Sequence, residues 1–172
     1  MLSYAVRVFN KTRGWGKLAG KRVSESSLVM VQPMTPQDAN VDGNVHGGVI
    51  MRLMDDAGGI VARRHARGNV VTASVDRLDF LHPVFIGDVL TIKASLNLVG
   101  RTSMEVGVRV EAENPITGEI RHTASAYLTY VALGKDGKPT AVPPLILDTE
   151  EEMRRNRDAQ ARREVRLGQR ER

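Results

Sequence analysis

Cysteine is absent from this 172-residue chain, which excludes disulfides, thiolate metal sites and a cysteine nucleophile and fits a reducing, cytoplasmic compartment. The four histidines, His46, His65, His82 and His122, have neither HxxxH nor HxH spacing, so no pattern asks for a metal and no cofactor is expected. No apolar run approaches the ~20 residues that a membrane-spanning helix needs, so no membrane insertion is expected. Acid is missing from the first 24 residues, where Arg7, Lys11, Arg13, Lys17, Lys21 and Arg22 place a charge of +6. The stretch from residue 148 onward carries +1, so within a net charge of +5 the centre of the chain is mildly acidic at −2. With the basic excess confined to one arm, and no recognisable binding module, no nucleic-acid partner is expected.

What remains is ordinary globular material, 41% hydrophobic and 26% charged, of a length that suits one domain. Three zones follow: residues 1–26, a basic, flexible N-terminal extension; residues 27–147, the domain; and residues 148–172, a charged helical tail. Within the domain, 28–34 reads as a strand and 35–40 as a loop of turn residues. A helix over 47–66 follows, then strands at about 69–81, 88–99, 103–113 and 119–132. Alternation is clean in the second of these four, with Leu90, Ile92, Ala94, Leu96 and Leu98 facing one way and Thr91, Lys93, Ser95 and Asn97 the other. Such a strand has one wet face. Met104, Val106, Val108 and Val110 repeat the pattern against Glu105, Arg109 and Glu111. Consecutive strands joined by short turns predict an α+β domain in which an antiparallel sheet wraps its apolar face around one long helix.

The segment richest in chemistry is Gly43-Asn44-Val45-His46-Gly47-Gly48, which runs directly into a helix carrying the adjacent carboxylates Asp55 and Asp56. A helix start presents backbone N–H groups without internal partners, a setting suited to polarising a carbonyl. At 100° per residue, Val49, Ile50, Leu53, Met54, Ala57, Ile60 and Val61 share one arc, and Arg52, Asp56 and Arg63 share another. Asp56 is therefore read as a surface partner of Arg52. Asp55 falls on a third arc with Met51, Gly58, Gly59 and Ala62, where small residues allow a close approach, and it reads either as a functional carboxylate or as a boundary residue.

Those residues, preceded by Asp38-Ala39-Asn40-Val41-Asp42 and followed by Val71-Thr72-Ala73-Ser74-Val75-Asp76 and Phe80, resemble the hot-dog-fold acyl-CoA thioesterases. Bacterial single-domain enzymes and the mammalian cytosolic, brain-type acyl-CoA hydrolase both fit the pattern. The resemblance covers roughly 28–160 and extends to Val131-Ala132-Leu133 and the hairpin Gly134-Lys135-Asp136-Gly137-Lys138-Pro139.

It implies hydrolysis of a fatty acyl-CoA thioester to free acid and coenzyme A, without a cofactor. It also implies a homodimer at minimum, assembled as a trimer of dimers, with the site shared between two subunits. Asn44 and Asp55 match the family's functional positions. Asp55 would act as general base on water or as a direct nucleophile, and Asn44 would orient the water or thioester. The amides near Gly47 and Gly48 would stabilise the developing oxyanion. His46 is read as a packing or acyl-positioning residue ahead of a base. Arg101, Thr102 and Ser103 in one turn, with Lys135 and Lys138 in the hairpin, are the candidates for binding coenzyme A. Phe80 is expected in the core, and His82-Pro83 is expected to end its strand. Two alternatives stay open: a hot-dog acyl-thioester dehydratase or hydratase, for which His46 and Asp55 would serve as the His and acid pair, and a non-catalytic acyl-CoA-binding module.

Overall fold

The computed structural model describes residues 18–170. Helix α1 spans Gly47–Ala66, the span expected, and it stops where Arg67 turns left-handed at φ 53° and donates its N–H to the Arg63 carbonyl. The sheet around it is built from β2 (Leu28–Pro33), β3 (Asn69–Phe80), β4 (Val89–Val99), β5 (Ser103–Glu113) and β6 (Ile120–Leu133), with β1 (Lys21–Arg22) and β7 (Leu145–Ile146) forming a separate short parallel pair. The five strands run in the order β2-β4-β5-β6-β3, antiparallel throughout. Their inward residues, among them Leu90, Ile92, Leu96, Met104, Val106 and Leu128, close over Ile50, Leu53, Met54, Ala57 and Val61 of α1. Each large side chain so buried contributes about 1.5–3 kcal/mol, which is what holds the helix in the concave face. No helix among the described residues is long and apolar enough to cross a membrane.

Three expectations change. The outer face of β4 and β5 is not wet where Asn97 and Glu105 sit, since they are only 3% and 2% exposed. The cause is α2 (Glu150–Arg170), which lies across that face. Arg155 donates to Ser95 Oγ at 3.0 Å and Asn156 to the Asn97 carbonyl at 2.7 Å. Ala159 is fully buried. Arg162 binds Glu105 at 2.7 Å and stacks 3.6 Å from the Tyr127 ring centroid. These contacts recur at three- and four-residue intervals along α2, one face of a helix.

The basic extension is not loose over its whole length either. Its first 17 residues lie outside those described. From Lys21 onward the chain is part of the domain: Lys21 and Arg22 pair with Leu145 and Ile146, and Val23 is buried. Two of the arm's basic groups have local partners. Lys21 Nζ donates to the His65 carbonyl at 2.8 Å, where the last turn of α1 leaves carbonyls unpaired, and Arg22 pairs with Asp148. Phe80, finally, is 49% exposed instead of buried, because it sits at the end of an edge strand.

Candidate active site

Asp55 occupies the arc of small residues, and what those residues admit is Tyr130. Gly58 leaves no side chain in the way of the phenol, whose oxygen lies 3.0 Å from the Asp55 main-chain carbonyl and 3.1 Å from Asp55 Oδ1. Thr72, paired across the sheet with Tyr130, donates its hydroxyl to the same Oδ1 at 2.7 Å. Asp55 is half-buried, and among the described residues it meets no cation and its Oδ2 receives no hydrogen bond. One carboxylate oxygen is thus held by two hydroxyls, and the other has no partner among the described residues. Burial, reinforced by the Asp55 charge, pushes the Tyr130 phenol well above its ordinary value of 10.0, so Tyr130 is a fixed donor and not an acid that titrates near neutrality. Asp56, by contrast, points to solvent and meets Arg52 at 3.5 Å, a contact worth only a few tenths of a kcal/mol.

A second constellation gathers at the start of α1. Asn40, Asn44, Gly47, Phe80 and His82 line a cleft of about 360 Å³. Asn40 Oδ1 accepts from the backbone N–H groups of Asp42 and Asn44 at 2.9 and 3.0 Å, which pins its carboxamide and leaves the NH2 end to donate. No described residue hydrogen-bonds the Asn44 side chain. The helix-start amides are not equivalent. His46 is the N-cap of α1, its Nδ1 accepting from Gly48 N–H at 3.0 Å, while Val49 N–H goes to the His46 carbonyl at 2.9 Å. Gly48 is therefore occupied, and Gly47 is the glycine whose amide has no described partner.

Within one chain these two groups do not meet. Eight residues of α1 separate Gly47 from Asp55, about 12 Å along the axis at 1.5 Å per residue. Thr72 is an exposed residue of edge strand β3 on the side that faces α1, so the Asp55 group opens toward the sheet edge.

Arg101–Ser103 and the Lys135–Lys138 hairpin are brought to one corner. Thr102 O accepts from Ala132 N–H at 2.9 Å and Arg101 O from Val142 N–H at 3.0 Å, and Ser103 pairs with Val131, the residue next to Tyr130. Arg101, Lys135 and Lys138 are exposed. Sequence reasoning passed over Thr72, Tyr130 and Asn40. Thr72 and Asn40 stood inside quoted motifs, but nothing in their spacing showed what each would face.

An antiparallel sheet wrapped around one helix, with the Asp55 carboxylate on that helix beside an edge strand, is the arrangement of the hot-dog thioesterase class. The comparisons agree. The Thioesterase superfamily model matches residues 42–119. The cytosolic acyl coenzyme A thioester hydrolase of Rattus norvegicus is 40% identical over 142 residues, 81% of this chain and 37% of that protein. The chain thus spans little more than a third of that relative. A hexameric acyl-CoA thioesterase solved in its apo form superposes with a TM-score of 0.85 at 38% identity, covering 88% of this chain and 97% of its own. The acyl-CoA hydrolase of Staphylococcus aureus, solved with butyryl coenzyme A, coenzyme A and coenzyme A disulfide, gives 0.81 at 36% identity over 87% and 92%. Further structures of the Staphylococcus protein replace an aspartate, an asparagine and a threonine by alanine. This chain belongs to the hot-dog acyl-CoA thioesterase family.

Proposed function

We propose that this protein hydrolyses acyl-CoA thioesters in the cytoplasm, with Asp55 as the general base. The observation that carries this reading is the state of the Asp55 carboxylate: Oδ1 is tied to Thr72 and Tyr130, and among the described residues no cation pairs with it and Oδ2 receives no hydrogen bond. Oδ2 takes a proton from water as the water oxygen bonds to the thioester carbonyl carbon. The oxyanion then collapses, the carbon–sulfur bond breaks, and the proton passes to the departing coenzyme A thiolate. A backbone N–H at Gly47, aided by the positive end of α1, faces the oxyanion.

The amide that orients the thioester or water is assigned to Asn40, with Asn44 beside it in the same cleft. Two observations support this. Asn40 is the one whose carboxamide is pinned. The asparagine, aspartate and threonine replaced in the Staphylococcus aureus structures stand 15 and 17 residues apart in that protein's own sequence, as do Asn40, Asp55 and Thr72 here.

Since the Asn40 cleft and Asp55 are held apart in one chain, the complete site takes one group from each of two subunits joined along β3. A dimer also covers Val71, Val75, Met51 and Ile60, which are 42%, 48%, 47% and 38% exposed. The hexameric relative supports a trimer of such dimers. His46 engages Nδ1 in the helix cap and does not reach Asp55, so the His and acid pair that a hydratase would need is not formed within the chain. The test is thiol release from acyl-CoAs of two to eighteen carbons. Asp55→Asn lowers turnover at least ~100-fold, in line with general-base catalysis, while Asp56→Asn stays near wild type. Equal effects of the two, or no thiol release by the wild type, reject the reading.

A further inference from the structure

The direction of α2 carries a consequence for assembly. Its contacts step across the sheet in spatial order: Arg155 and Asn156 on β4, Arg162 on β5 and over Tyr127 of β6, and Arg166 with Asp76 on β3. From Arg155 to Arg166 is about 16 Å of helix, and three strand spacings are about 14 Å, so α2 runs nearly perpendicular to the strands. Having reached the edge strand at Arg166, the helix continues to Arg170, about 6 Å more, which exceeds one further strand spacing. β3 pairs with β6 on one side and with no described strand on the other. Two register shifts interrupt it, between Thr72 and Ser74 and between Val75 and Arg77, at the place where α2 arrives.

Two apolar side chains flank the point at which α2 leaves the sheet. Val165 is 63% and Leu167 47% exposed on a helix otherwise dominated by charge. Ala161 and Val165 line, with Ser74–Arg77 of β3, Tyr127 and the stems of Arg162 and Arg166, a groove of about 720 Å³. The groove runs along the Ser74–Arg77 stretch of β3, and an edge strand left open is a template for another strand.

We infer that a second copy of this chain fills this groove, and that the end of α2 is a strap which crosses its own sheet and lies over the β3 of its partner when the two β3 edges pair. This rests on the dimer proposed above but not on the hydrolase activity, and its test needs no acyl-CoA. Arg166 is then a positioning residue, holding the strap at the edge through Asp76.

The absence of cysteine makes the test direct. Val165→Cys and Leu167→Cys are alkylated with a maleimide in protein whose mass is followed by light scattering, with Ile116→Cys, at a site 92% exposed on the β5–β6 turn, as the reference. In the assembled protein the Val165→Cys and Leu167→Cys variants react at least about tenfold more slowly than Ile116→Cys, since alkylation follows thiolate access. The same protection is lost on dilution to monomer. Removing residues 167–172 raises the dissociation constant of the dimer about tenfold or more, as loss of a buried apolar anchor does, with circular dichroism otherwise unchanged. If strap cysteines in a proven dimer react as fast as the reference, or if the truncated protein dimerises like wild type, the strap is wrong while the dimer stands. A wild type that is monomeric at all concentrations overturns both.

Discussion

The phenol oxygen of Tyr130 stands 2.4 Å from where a Cβ on Gly58 would be. No real pair of atoms tolerates that separation, so position 58 is glycine because Tyr130 reaches the helix backbone there. Gly58→Ala gains about 1 kcal/mol of helix propensity and loses more to overpacking, typically 1–3 kcal/mol. The expected result is a lower urea midpoint together with slower thiol release, because the displaced phenol no longer braces Asp55. In a Tyr130→Phe background the same substitution costs less, and a double-mutant cycle measures the difference.

His46 is a helix cap more than a chemical base. His46→Ala leaves Gly48 N–H without its partner and costs roughly 0.5–2 kcal/mol of stability, the range for loss of an N-cap. Thiol release stays within a few-fold of wild type. A fall of the 10²–10⁴-fold size typical of a lost acid or base would return His46 to the chemistry.

The corner formed by Arg101, Lys135 and Lys138 predicts a split between binding and turnover. Replacing Arg101 and Lys138 together by alanine raises KM for acyl-CoA about tenfold, the worth of one charge-assisted hydrogen bond, with kcat little changed. The effect shrinks at high salt and vanishes with an acyl-pantetheine substrate that lacks the nucleotide. An unchanged KM for acyl-CoA would remove these residues from the site.

Stability falls on mild acidification because of His65. Its side chain is buried, with Nε2 2.8 Å from the Pro143 carbonyl. Burial holds its pKa below the ordinary 6.5 against the pull of that carbonyl, and the nearby Lys21 charge adds to the depression. Below pH 6.5 the unfolded chain binds a proton that the folded chain resists, so stability is present above 6.5 and drains away until the folded-state pKa is reached. Thermal melts from pH 8 to pH 5 should show Tm falling in the acid half, and the slope should flatten in His65→Gln. Parallel curves for the two proteins would assign the acid sensitivity to other groups.

Periodicity alone placed α1 at its observed ends and the long strands within one or two residues, because a two-residue or 3.6-residue hydrophobic repeat is a local consequence of burying one face. The same rule misread Asn97 and Glu105. Their alternation says only that they face away from the core, and whether that side meets water depends on a helix more than 40 residues later in the chain. Phe80 failed for the converse reason: its apolar side chain is the same whether it enters a core or lines a cleft at a sheet edge.

By itself the sequence determined the elements, the antiparallel wrapping, the separation of Asp55 from Asp56 by helical angle, and the set of motif residues from which a thioesterase could be read. Tertiary structure decided which groups touch. Thr72 and Tyr130 are 17 and 75 positions from Asp55, and only strand register brings both hydroxyls to one oxygen. It also closed Gly48 with the His46 ring, pinned Asn40 instead of Asn44, and carried α2 to the β3 edge. Hydrogen bonds have a reach of about 3 Å, and no sequence spacing specifies a distance that the folded chain sets through contacts remote along it.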